Sequence, residues 1–360
     1  MKKIMVVGAS GVLGNLVGIE LLRVFDNQVN LVVTDYKIDR GKKLADLFSK
    51  EVEFRYLDVT NKENIMKAIK NVDMVVVVLK QQNPYIQKAC IDNGITCIDV
   101  TPFAEFVDKI KLLHKDAERN EIGSVVMCGF FPGLSGLMVK KAVSSFQEVT
   151  EVNIGLLQNT NAKAGISGIL DMLKIISQHV DYDTISTTAN ISGFTKKRKM
   201  YFLEPHNERE VRLIDHAEKA FLKQNLRIGK VNYWTAWNNH FFNKQIFLLK
   251  RFGVIDIILK FRNSKFLSKI VKHNPNKNEK AFLTVEVKGK IDSKECIKTL
   301  SFSTFSDYHT TAMVTAILAK ITVHKKIKGV VFPFEIADID EILSEITCKG
   351  DIVFRETIEN

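Results

Sequence analysis

The sequence predicts an α/β fold: a Rossmann-type, doubly wound parallel sheet, joined to a second α+β domain, with a C-terminal return to the first. Three observations predict it. Short apolar runs alternate with helix-length amphipathic stretches through the first 128 residues. A glycine-rich stretch joins the first run to the first helix. The alternation then stops after Gly136. Strands alternating with helices specify a parallel sheet covered on both faces.

Residues 4–7 read as an apolar strand and 12–25 as a helix with periodic apolar positions. A second strand over 29–34 is followed by a short helix over 41–48, and a third strand runs over 54–59. Thr60 and Glu63 have the spacing of a capping box, which predicts a helix start there. The run 74–79 is rich in β-branched residues, as suits a strand buried on both faces. Pro84 opens the next helix and Gly94 closes it. A strand over 96–100, an amphipathic helix near 105–119 and a strand over 124–128 complete six strands. Beyond them the sequence predicts a strand over 151–156, a helix to 179, paired antiparallel strands over 282–290 and 296–304, and closing helices over 310–323 and 338–346. The division is 1–132 for the nucleotide domain, 133–307 for the second domain and 308–360 for a return packing on the first.

A chain of 360 residues is long enough for two domains with their own cores. A membrane-spanning helix takes about 20 apolar residues, and the longest apolar runs, 74–79 and 254–259 (the latter broken by Asp256), fall far short. The apolar stretch between Lys3 and Gly8 is too short for a secretory signal core, so a cytoplasmic protein is expected. The five cysteines (90, 97, 128, 296, 348) are scattered without a Cys-x-x-Cys pair. That spacing suits buried thiols rather than disulfides or a metal site. The net charge of +11 is concentrated: residues 190–280 hold 20 Lys and Arg against 7 Asp and Glu. Such a surface attracts anions, whether substrate, nucleic acid or lipid.

The stretch Gly8-Ala9-Ser10-Gly11-Val12-Leu13-Gly14 follows a strand and opens a helix, the context in which a glycine-rich loop cradles a pyrophosphate. The first glycine makes the turn, the second admits the phosphate to the backbone, and the third lets helix and strand pack closely. The helix N-terminus adds free N–H groups and the positive end of its dipole. Asp35 ends the second strand, 21 residues after Gly14. A carboxylate there accepts the ribose hydroxyls and repels a 2′-phosphate, which favours NAD; Lys37 and Arg40 nearby keep NADP possible. Asp58 and Val59 at the end of the third strand, and Leu79 and Lys80 at the end of the fourth, complete the expected cofactor contacts.

With these residues in place, the chain resembles the saccharopine dehydrogenase-like (saccharopine reductase) family. Besides the glycine loop, Asn83-Pro84, Ala89-Cys90, Gly94 and Cys97-Ile98-Asp99 are similar to the family's segment after the fourth strand. Gly129-Phe-Phe-Pro132-Gly133-Leu-Ser-Gly136 resembles its turn into the second domain. Tyr308-His309-Thr-Thr311-Ala312 and Lys328-Gly329-Val330 with Pro333 and Glu335 resemble its C-terminal return. The resemblance implies an NAD(P)-dependent oxidoreductase moving a hydride to or from a small anionic, amino-acid-like substrate at a C–N bond. The second domain would then serve substrate binding and, in a homodimer, dimerisation. The segment 190–280 matches no part of the family.

Ligands of a doubly wound sheet occupy the crevice beyond the strand ends, which places Asp99 among the candidates for proton transfer. Tyr308 and His309 are the other candidates, His309 because imidazole titrates near neutrality. The helix start at Pro132–Ser135 is a candidate for holding a substrate carboxylate. Trp234, Trp237, His240, Phe241 and Phe242 suggest a buried aromatic cluster. The segment 244–262 is basic and amphipathic, yet too apolar for a narrow stripe. A core or dimer-interface helix is therefore expected there, rather than membrane contact, and no nucleic-acid partner is expected. The alternative reading of the whole chain is a non-catalytic nucleotide-binding redox sensor or scaffold.

Overall fold

The structure is a computed structural model, and it describes residues 1–48, 52–163, 165–184, 187–261, 273–346 and 351–359. The chain forms two compact units, one of Met1–Leu137 with His309–Ile346 and one of Met138–Tyr308 with Thr347–Asn360.

The first unit opens with β1 (Lys2–Val7), β2 (Val29–Asp35), β3 (Glu53–Tyr56), β4 (Met74–Val77), β5 (Thr96–Asp99) and β6 (Gly123–Val125). The second contains β7 (Glu148–Gln158), β8 (His179–Asp183), β9 (Thr188–Ser192), β10 (Lys197–Phe202), β11 (Asn207–Ile214), β12 (Val231–Trp237), β13 (Ala281–Ile291) and β14 (Lys294–Thr304). Two strands follow, β15 (Gly329–Val331) and β16 (Val353–Glu359).

The first sheet has the order β15-β6-β5-β4-β1-β2-β3 and every pairing in it is parallel. The six strands of the sequence reading are present, and β15 adds a seventh at the β6 edge. Strand order reverses between β1 and β4, so a crevice opens at their carboxyl ends. β4 is buried along its whole length. One core cluster gathers Met5, Val7, Val75, Val77 and Cys97 from the strands with Ile65, Ile69, Ile86 and Cys90 from the helices.

Two local expectations change. Asn61, not Thr60, caps the helix Lys62–Ala68, its side chain accepting the Asn64 N–H at 3.0 Å. Thr60 instead bonds back to Asp58. The helix expected near 105–119 is two helices, Ala104–Lys111 and His114–Arg119.

The second sheet is mixed, in the order β10-β11-β12-β7-β13-β14-β16. The β13–β14 hairpin turns at Asp292 and Ser293, both at positive φ. β16 pairs antiparallel with β14. Residues 353–359 therefore belong to the second sheet, and only the part of the expected return up to Ile346 lies in the first unit. The segment 244–262 is divided at Gly253 into the helices His240–Arg251 and Val254–Phe261. No helix among the described residues is long and apolar enough to cross a membrane.

Candidate functional site

The glycine loop lies at the end of β1, where the crevice opens. Gly8 has φ +88°, and Gly11 N–H donates to the Gly8 carbonyl at 3.0 Å, which tightens the turn. A Cβ on Gly14 would stand 2.1 Å from that carbonyl oxygen, so no larger residue lets the helix approach this closely. The helix Val12–Val24 has glycine at its N-cap, no side-chain cap bond and no acidic residue in its first turn. Its leading N–H groups have no partner within the helix. The buried Ser10 hydroxyl also makes no hydrogen bond. A pyrophosphate fits this set of donors, and these backbone groups would hold it.

Asp35 is buried and answers to Arg40. The Arg40 guanidinium donates to both carboxylate oxygens, Nε at 2.6 Å and the second nitrogen at 2.8 Å, and Lys37 N–H adds a third bond at 2.8 Å. Burial alone raises the Asp35 pKa; hydrogen bonds from Arg40 and Lys37 outweigh it and hold the carboxyl below its ordinary value. Arg40 also lies over the exposed Tyr36 ring at 5.3 Å. Asp58 has the turn role: its Oδ1 accepts Thr60 N–H and hydroxyl. Val59 and Leu79 pack on the core cluster at the strand ends, and Leu79 Cβ is 3.0 Å from where a Gly8 Cβ would lie. Lys80 is exposed, its ammonium 4.1 Å from the Phe103 ring centroid.

Asp99 ends β5 and is 1 % exposed. Its Oδ1 accepts Thr101 N–H at 2.7 Å, and its Oδ2 accepts the Gln87 amide. Burial drives its pKa up to about 7, against the pull of those two donors. The carboxyl thus titrates where a proton carrier is effective. Both oxygens are engaged, so a substrate reaches them only by displacing a donor. Sequence reasoning missed Gln87, which stands mid-helix in no motif. Its Oε1 is buried with no donor, as are both polar atoms of Gln81. Cys128 is buried, and burial followed by the Asp99 charge pushes its thiol well above the ordinary range. It is an unreactive thiol by that measure.

The turn at residues 129–136 is built tightly. Leu134 N–H donates to the Gly129 carbonyl at 2.8 Å, and Gly133 adopts φ +121° with no room for a Cβ. The Thr311 hydroxyl accepts Phe130 N–H at 3.3 Å, and the Thr315 hydroxyl donates to the Cys128 carbonyl at 2.6 Å. Two motifs that lie far apart in sequence therefore meet in the first unit.

His309 is half-buried in the first unit; Tyr308 belongs to the second. The Tyr308 hydroxyl lies against Gly168, where a Cβ would come within 2.1 Å of it. Burial and the neighbouring Asp307 raise its pKa to about 12, which leaves the phenol protonated at neutral pH. The aromatic group divides: Trp234 is buried with its indole N–H on Asn153, Trp237 packs on Phe194 and Phe242, and Phe241 is exposed. Among the described residues no cluster of His, Cys, Asp and Glu could hold a metal. A cavity of about 200 Å³ in the second unit is lined by Glu210, Arg212, Ala236, His240, Asn243 and Lys244. It contains none of the residues expected to perform chemistry.

Residues 4–125 match the family described as saccharopine dehydrogenase NADP binding domain. Among solved structures, the apo saccharopine dehydrogenase (L-Glu forming) of Saccharomyces cerevisiae superposes with a TM-score of 0.75 at 13 % identity, over 100 % of each chain. The likeness is one of fold. A DAP dehydrogenase of C. glutamicum in complex with DAP gives a TM-score of 0.48 at 10 % identity, over 97 % of this chain and 99 % of that one. Among curated proteins, none matches the sequence.

Proposed function

From the match of residues 4–125 to the saccharopine dehydrogenase NADP binding domain, we propose that the protein is an NAD(P)-dependent oxidoreductase acting on a small, amino-acid-like substrate at a C–N bond. The observation that carries this reading is the glycine loop: bare N–H donors and a helix N-terminus, within the matched domain, at the point where strand order reverses. The cofactor supplies the hydride chemistry when bound. The chain's own residues supply binding, orientation and proton movement.

In this reading the backbone of Ser10 to Leu13 holds the pyrophosphate. Asp35 and Arg40 divide the ribose between them: the carboxylate accepts its hydroxyls, and the guanidinium is the cation available to a 2′-phosphate. The bidentate pair offsets the charge that would exclude NADP, so both cofactors are admitted. Asp99, with its pKa near 7, carries the proton that interconversion of an amine and an imine demands. Asp58 keeps its turn, and the Tyr308 phenol, protonated at neutral pH, is not a base.

The test is turnover of a panel of 2-oxo acids with amines, and of amino-acid adducts, under NADH and NADPH. The reading predicts cofactor oxidation or reduction that saturates with one substrate class. Saturable cofactor binding with no turnover on any member would favour the sensor instead.

A further inference from the structure

The helix His240–Arg251 leaves a row of large apolar side chains in solvent. Phe241 is 67 % exposed, Leu248 48 % and Phe252, at its C-cap, 73 %. At 3.6 residues per turn, positions i, i+7 and i+11 fall on one side of a helix. These three therefore form one stripe. Ile246 lies on the opposite side and is buried, and Lys250 also turns inward, its ammonium on the Ser177 carbonyl at 2.7 Å. In the next helix Ile255 is buried while Ile257 is 55 % exposed. The fold thus uses the inner face of this helix pair and leaves the outer one uncovered.

Cations border the stripe. Lys244, Arg251 and Lys260 are exposed, while the exposed acidic residue of the pair is Asp256. The surrounding sequence, 190–280, carries 20 basic residues against 7 acidic. An apolar stripe flanked by cations complements the boundary between acyl chains and anionic headgroups. It complements other occupants poorly. A second copy across a twofold axis would bring the same cations together, and a nucleic acid would leave two phenylalanines facing its phosphates.

We propose that the helices His240–Arg251 and Val254–Phe261 dock the second unit onto an anionic lipid bilayer. They lie in the plane of the surface, with Phe241, Leu248 and Phe252 in the acyl boundary and Lys244, Arg251 and Lys260 on the headgroup phosphates. The proposal departs from the expectation of a core or dimer-interface helix. The apolar excess that argued for burial is divided between an inner face that is buried and an outer one that is not.

Cosedimentation of the full chain with phosphatidylglycerol–phosphatidylcholine vesicles tests it, with pure phosphatidylcholine vesicles as control. The protein is expected to bind the anionic vesicles, weakly at high salt, and to ignore the neutral ones. Phe241→Ser/Phe252→Ser should lower the vesicle-bound fraction at least about tenfold, and Lys244→Glu/Arg251→Glu should abolish the preference for anionic lipid. Both variants should keep the wild-type circular dichroism and NADPH affinity, since the residues are exposed and outside the nucleotide-binding unit. No binding to anionic vesicles at low salt overturns the proposal. So does a wild-type dimer that the Phe241→Ser/Phe252→Ser variant converts to monomer, because the stripe is then a protein interface.

Discussion

At the residue scale the informative pair is Asp35 and Arg40. Sequence placed a carboxylate at the end of the second strand and read it as a barrier to a 2′-phosphate. The structure puts a guanidinium on both of its oxygens. No spacing rule reveals that contact, because Arg40 reaches it only through the start of the helix Ile38–Phe48. Asp35→Ser should raise the preference for NADPH over NADH by about tenfold, since one repulsive charge near the phosphate is removed. Arg40→Ala should move the ratio the other way. Affinities for the two cofactors in each variant decide it, and unchanged ratios would show that the pair does not face the ribose.

Asp99 supports two predictions of its own. Its folded pKa of about 7 stands above the ordinary 3.8, so the native state holds a proton that the unfolded chain has lost between those pH values. Stability from this group is therefore full below about pH 4, falls as pH rises through 7, and is constant above it. The loss is on the order of 4 kcal/mol, and Asp99→Asn should abolish it in denaturant titrations from pH 4 to 8. If Asp99 also carries the catalytic proton, the same variant should lower kcat about a hundredfold and remove an inflection near pH 7. A flattened stability profile with kcat intact would leave it the turn role alone.

At the scale of elements, most of the first unit was legible. Apolar runs such as 74–79 correspond to strands whose sides are both covered, and covering both sides removes any need for alternation. β15 and β16 were not legible. Three residues make β15, too few for a period, and β16 is an edge strand with a mostly exposed face, so burial leaves little pattern in it. The turn at residues 129–136 was legible as a motif, but its lock was not, because Thr311 and Thr315 lie on a helix read only as a return. Thr315→Val should cost about 1 kcal/mol in urea unfolding, the worth of a buried hydroxyl bond. Gly133→Ala should cost several times that, since φ +121° and the Gly129 carbonyl both oppose a side chain. Equal costs for the two would mean that the turn relaxes around an alanine.

At the scale of the whole molecule, the sequence reading expected two domains with a charge excess in 190–280; the structure has two compact units, the first with one seven-stranded sheet and the second with a seven-stranded sheet and the two-stranded pair β8–β9. What the sequence could not say was which apolar residues of the basic segment face inward, because one helix serves both a core and a surface. The candidate site was legible where backbone geometry dictates residue type, as at Gly8 and Gly14. It was opaque where a side chain is recruited by tertiary contact, as with Gln87 on Asp99. The central claim is that the loop from Gly8 to Gly14 holds the pyrophosphate of a nicotinamide dinucleotide. Gly11 is the helix N-cap with φ −75° and ψ 163°, a conformation open to aspartate, which is also a good cap. Calorimetric titration of the wild type and of Gly11→Asp with NADPH and NADH tests the claim most directly. The account predicts saturable binding at one site per chain for the wild type, and its loss in a variant whose unfolding free energy changes by no more than about 1 kcal/mol. Equal cofactor binding by wild type and variant, or no binding by either, would contradict it.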